Sequence, residues 1–216
     1  MRFWYAATAF VAAALLFVVE PMVGKLLLPM LGGAPAVWAT CLVFFQICLL
    51  AGYAWAHVVT LLPSWAQPFV HAVLLAAGMS ALPLRAPVGA PPAGVFPIGW
   101  LFCRLAAAVA LPFVAMAATG PLVQRWLAAR GRDPYGLFAA SNAGSLIALL
   151  AYPAVVEPLS RLREQCAAWS WGVGALAVMV GVCAVWGRGA GAGAGASAGA
   201  GVGVGAGVGA GAGAGA

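Results

Sequence analysis

The hydrophobic positions of this chain form long unbroken runs rather than amphipathic alternations, and the punctuation between them divides the chain into six. The first begins at Phe3 behind Arg2, passes through Glu20 and Pro21, and reaches about Leu31, where Gly32, Gly33 and Pro35 stop it. The others cover about 37–62, 69–84, 98–122, 135–156 and 166–186. A helix needs about 20 mostly apolar residues to cross a hydrocarbon core. The pattern therefore predicts an all-α fold, a polytopic membrane bundle of about six transmembrane helices. The first helix exceeds one crossing and contains a proline, so it should be long, tilted or kinked. No small-residue cleavage pattern precedes Glu20, which makes this run a retained helix rather than a secretory signal. Pro63 and Pro68 bracket a short turn, and 85–97, with Pro87, Pro91, Pro92 and Pro97, reads as a loop outside the hydrocarbon.

From Gly187 the composition changes to glycine, alanine and valine in near-perfect alternation. Glycine disfavours helix by about 1 kcal/mol relative to alanine, so 187–216 is expected to be a disordered low-complexity tail behind a transmembrane domain of 1–186. A silk-like stacking strand is the alternative.

Composition agrees with a membrane class, since 65% of residues are hydrophobic and 6% are charged. The net charge of +6 is spread singly along the chain, which argues against a nucleic-acid partner and leaves the lipid bilayer as the expected one. Six crossings put both termini on one side together with Arg2, Arg125, Arg130, Arg132 and Arg188, while Lys25, Arg85, Arg161 and Arg163 fall on the other. The excess of basic residues makes the terminal side cytoplasmic. Cys41, Cys48, Cys103, Cys166 and Cys183 form no ligand cluster, and neither a metal nor a cofactor is expected.

Ionisable groups inside spans are costly unless paired or hydrated, which singles out Glu20, Lys25, Arg104 and Glu157. The tetrapeptide Val18-Val19-Glu20-Pro21 returns as Val155-Val156-Glu157-Pro158. If the echo is structural, it sets two carboxylates at matching depth near Arg104, Lys25 and Arg161, as a charge cluster or gate; the competing reading is interfacial snorkelling. Glu20 itself marks either a hinge or the outer end of a short span. Gln46, Tyr53, His57 and Thr60 share one stripe of the second helix, which should face the bundle as a solute path or as interhelical glue. His57 and His71 flank the turn after that helix, where either could titrate near neutrality. In the fifth helix Ala140, Gly144 and Ala148 lie at four-residue intervals beside Ser141, Asn142 and Ser145, a pattern that permits close backbone approach; Asn142 is also a candidate ligand contact.

Four strings carry a family resemblance: E-P-M-V-G-K-L-L-L-P-M-L-G-G from Glu20, V-W-A-T-C-L-V-F-F-Q from Val37, L-P-F-V-A-M-A-A-T-G-P-L-V-Q-R-W from Leu111, and D-P-Y-G-L-F-A-A-S-N-A-G-S-L-I-A-L-L-A-Y-P from Asp133. Together, over about 10–186, they resemble the membrane part of bacterial fused MFS/spermidine synthase-like proteins. The resemblance implies a transporter-like region in a bacterial inner membrane. In the full-length family this region continues through further helices into a cytoplasmic aminopropyltransferase-like domain. Such a domain needs alternating strands and helices, a glycine-rich cofactor turn and acidic residues, and none follows Trp186. No catalytic residue is therefore expected, and the reading frame is expected to be truncated or shifted near Gly187. Three functions remain open: a membrane module of a polyamine-related protein that is missing its C-terminal membrane and synthase-like parts, a small-solute carrier acting as a homodimer, or a purely structural membrane protein with a sticky tail.

Overall fold

The computed structural model describes residues 2–84, 92 and 94–198, with side chains described as far as Val185. Among the described residues six helices follow one another: α1 (Arg2–Leu31), α2 (Pro35–Thr60), α3 (Gln67–Met79), α4 (Pro97–Ala128), α5 (Tyr135–Leu159) and α6 (Leu162–Ala198). No strand occurs among the described residues. Five of the helices are long and apolar enough to cross a membrane.

The exception is α3. The third run was expected to cross over 69–84, but its helix has 13 residues and a length of about 20 Å. The backbone turns at Ser80 and Ala81, and Pro83 cannot donate the hydrogen bond that would resume the helix.

The other boundaries move for local reasons. α1 continues as one 30-residue helix through Pro21 and Pro29, so Glu20 does not end a short span. α4 runs on to Ala128 because Trp126 and Leu127 are buried, which takes Gln124 and Arg125 out of the expected loop and into the helix. α6 starts four residues early, where the Arg161 N–H donates to the Glu164 carboxylate at 2.9 Å, one half of a capping box. It also continues to Ala198, into the segment expected to be disordered. Lengthening an existing helix avoids the cost of nucleation, and alternate alanines offset part of the glycine penalty. Residues 199–216 lie outside the described residues.

Two helices contain wide turns, Ala106–Ala110 in α4 and Tyr152–Val156 in α5. Each ends two residues before a proline, Pro112 or Pro158. The proline ring would strike the carbonyl four residues back, and widening the preceding turn to the i→i+5 pattern relieves that clash.

Residue pairs fix the helix directions. Phe10 meets Gly144 and Lys25 meets Glu157, so α1 and α5 are parallel. Phe44 packs on Phe102 and Gly52 on Ala117, so α2 and α4 are parallel. His71 meets Thr119 and Gln67 meets Trp126, which makes α3 antiparallel to α4, while Trp169 against Leu15 and Cys183 against Tyr5 make α6 antiparallel to α1. Direction alternates from each described helix to the next.

These contacts pair α1–α3 with α4–α6 as two inverted copies. α1 packs on α5 as α4 packs on α2, and α6 lies against α1 as α3 lies against α4. The correspondence holds at single residues. A Cβ on Gly52 would come 2.5 Å from the Ala117 Cβ and 2.9 Å from the Val114 carbonyl oxygen, while one on Gly144 would collide with the Phe10 carbonyl. His71 meets the Thr119 hydroxyl at 3.0 Å where Trp169 donates to the Leu15 carbonyl at 3.0 Å. Thr119 follows Val114 at the same spacing as Leu15 follows Phe10, and His71 follows Gln67 as Trp169 follows Gln165. Both glycines place a helix backbone directly against its neighbour, as expected of Gly144 from its small-residue stripe.

At the Arg2 end, Arg130 donates to the Tyr5 hydroxyl and lies over its ring, and Tyr5 donates to the Cys183 carbonyl at 3.0 Å. Arg2 donates to the Asp133 carbonyl at 3.3 Å, and the Asp133 carboxylate accepts the Tyr135 N–H at 2.9 Å. The N-terminus, the α4–α5 turn and the distal part of α6 thus meet at one end of the bundle.

Candidate functional site: a polar cavity between the two halves

A half-open cavity of about 670 Å³ lies between α1, α2, α4 and α5 towards the Arg2 end. The first and second helices of each inverted half line it, and α3 and α6 stand behind. Small side chains on α1, Ala9, Ala12 and Ala13, leave the space, and Gly120 does the same on α4. The polar lining comes from Tyr53, His57 and Thr60 on α2, Gln124 and Arg125 on α4, and Ser141, Asn142 and Ser145 on α5. The volume is within the usual range for small-molecule sites.

The lining hydroxyls are not equivalent. Thr60 donates to the His57 carbonyl at 2.7 Å, and Ser145 lies 3.1 Å from the carbonyls of Ser141 and Asn142. These hydroxyls spend their hydrogen on the backbone and present lone pairs to the cavity.

Of the sequence candidates, Tyr53, His57 and Asn142 come together here, with Thr60. Gln46 does not, although it shares their stripe; it is exposed nearer the opposite end of α2. Glu20 lies on the cavity face of α1 one turn beyond Leu16 and Phe17, outside the lining. Glu157 forms an ion pair with Lys25, both partly exposed, at the Lys25 end. Counted from the Phe10–Gly144 contact, Glu20 is ten residues along α1 and Glu157 thirteen along α5, so Glu157 stands about 4 Å further along the bundle than Glu20. The echoed tetrapeptides therefore do not set their acids at one depth, because the parallel helices pair Phe10 with Gly144 and leave the two prolines out of step. Arg104 lies 5.7 Å from the centre of the Trp100 ring on its own helix. No group of three or more histidine, cysteine or acidic side chains that could hold a metal occurs among the described residues.

Sequence reasoning missed Gln124 and Arg125, which it assigned to a loop, and two buried glutamines. Gln67 donates to the Leu62 carbonyl at 2.9 Å and accepts from the Trp126 indole at 3.0 Å. Gln165 donates to the Ser160 carbonyl at 3.0 Å and accepts from the Tyr152 hydroxyl at 3.0 Å. Each clamps the turn that enters the third helix of its half, at opposite ends of the bundle. His71, expected beside His57 near the surface, is fully buried. Thr119 donates to the Ala115 carbonyl at 2.9 Å, so it accepts from His71, whose Nε2 carries the hydrogen.

A scan against protein-family models finds no match to this chain, and searches of curated proteins and of solved structures find none either.

Proposed function

We propose that this chain is a transporter-like integral membrane module carrying one half of a solute cavity, as its resemblance to the membrane part of fused MFS/spermidine synthase-like proteins implies. The supporting observation is the half-open polar cavity on the seam between two inverted three-helix units. Inverted repeats with a binding site at their interface are a recurrent transporter architecture. Polar side chains facing lipid are costly, so a second bundle completes the cavity. It is supplied by further helices of a longer chain, as in the resembled family, or by a second copy. The polyamine connection rests on the resemblance alone.

In this reading α3 and 80–84 together make the sixth crossing. Leu84 is buried and shares a hollow with Leu26, Leu162 and Cys166 at the Lys25 end. Irregular backbone at membrane depth is tolerated where protein covers it. The Arg2 end, with Arg125, Arg130 and Arg132, faces the cytoplasm of a bacterial cell by the positive-inside rule.

A water-filled cavity makes Asn142→Cys reactive towards a membrane-impermeant thiol reagent, and Leu150→Cys, on the exposed apolar face of α5, unreactive. Equal inertness of the two thiols in native membranes removes the solute-cavity reading. With the native cysteines replaced, Tyr53→Cys should crosslink to a dimer if a second copy closes the cavity, whereas Val178→Cys, exposed on α6, should not. Monomer alone in both cases assigns the closure to a longer chain.

A further inference from the structure

The charge of the cavity wall selects among solutes. The chain has four acidic residues, and none lines the cavity. Asp133 caps α5, Glu164 caps α6, Glu157 is paired with Lys25, and Glu20 is one turn beyond the lining on α1. The wall carries the permanent cation Arg125, the imidazole of His57, and the neutral donors Tyr53, Gln124 and Asn142. An organic polycation such as a polyamine would meet a guanidinium and no lining carboxylate. Water in the half-open cavity weakens that repulsion without removing it.

We propose that this cavity binds a small organic monoanion, a carboxylate that also carries a hydroxyl group. This rests on reading the cavity as a solute site, and it departs from the polyamine link that the resemblance implies. The planar fork of Arg125 matches a carboxylate with two parallel hydrogen bonds. One fixed positive charge balances one negative charge. The donors Tyr53, Gln124 and Asn142 serve the remaining lone pairs, and the hydroxyls of Thr60 and Ser145 are left as acceptors for the solute's own hydroxyl. On α1 the facing surface is alanine, leucine and phenylalanine, against which the carbon skeleton packs.

The test is equilibrium binding of radiolabelled lactate, inorganic phosphate and spermidine to the full chain in lipid nanodiscs. Lactate is expected to bind, and spermidine neither to bind nor to compete. Arg125→Gln should weaken lactate binding about ten- to a hundredfold, as expected for loss of a charge-assisted pair. Arg125→Lys should recover part of that loss, which a misfolded variant would not do. Arg132→Gln, at the same end but outside the lining, should leave binding unchanged; an equal loss there would show a general positive field and overturn the site. Binding of spermidine in place of lactate overturns the anion assignment while leaving the cavity a solute site. Phosphate bound in preference to lactate overturns the carboxylate. If Asn142→Cys proves as inert as Leu150→Cys and no probe binds, both the anion assignment and the reading beneath it fall.

Discussion

Replacing Gly144 by leucine is expected to prevent assembly of the bundle, and Gly52→Leu should do so almost as completely. At Gly144 the obstacle is the Phe10 carbonyl, and at Gly52 it is the Val114 carbonyl with the α4 backbone behind it. Backbone cannot move aside as a side chain can. In a bilayer there is little hydrophobic force between helices, so close backbone packing carries much of the association. Overpacking costs about 1–3 kcal/mol where side chains can yield, and each of these changes should reach at least the top of that range. The measurement is the yield of monodisperse protein in mild detergent and its Tm. Gly120→Leu is the control, since a Cβ there meets nothing within 4 Å. Near-normal yield for Gly144→Leu would refute the packing of α1 on α5.

The second large effect is expected at the buried glutamines. Gln165→Leu leaves the Tyr152 hydroxyl and the Ser160 carbonyl without their partner, and Gln67→Leu does the same to the Trp126 indole and the Leu62 carbonyl. An unsatisfied buried polar group costs about 1–3 kcal/mol, so each variant should lose about 2–4 kcal/mol against thermal unfolding. Gln165→Glu restores the acceptor for Tyr152 without the amide donor, and should fall between wild type and Gln165→Leu. A Gln165→Leu protein as stable as wild type would mean that this turn is held by other groups.

Much of the bundle was legible in the chain because hydropathy runs and prolines state where spans begin and stop. What failed to show was three-dimensional registry. The repeat of Val-Val-Glu-Pro suggested two acids at one level, but helix depth is set by where the glycines let backbones touch, and no local string records that. Arg125 was read as loop because charge in sequence resembles a helix end, whereas the neighbouring Trp126 and Leu127 draw another turn into the protein. His57 and His71 looked equivalent beside one turn. Only the packing of α3 on α4 makes one a cavity residue and encloses the other. The stripe on α2 was expected to face the bundle, but Gln46, Tyr53 and His57 are exposed and α2 buries the face that carries Phe44, Phe45, Gly52 and Ala56 instead; only the part of the stripe from Tyr53 onward reaches the half-open cavity.

The inverted pairing of the two halves has a consequence for those leftover residues. Carrying the register of Phe10 and Val114 along the helices makes Glu20 the counterpart of Gln124, and the register of Gly52 and Gly144 makes Gln46 the counterpart of Phe138. Gln124 and Phe138 both line the open cavity. An exchange of conformation between the halves would close this vestibule and open its mirror image at the Lys25 end, with Glu20 and Gln46 in its wall. Cysteines at positions 46 and 138 should then change their reactivity towards a water-soluble thiol reagent in opposite directions when a bound solute shifts the equilibrium, and parallel changes would rule the exchange out. The two polar residues left outside the present opening would be the furnishings of a second door.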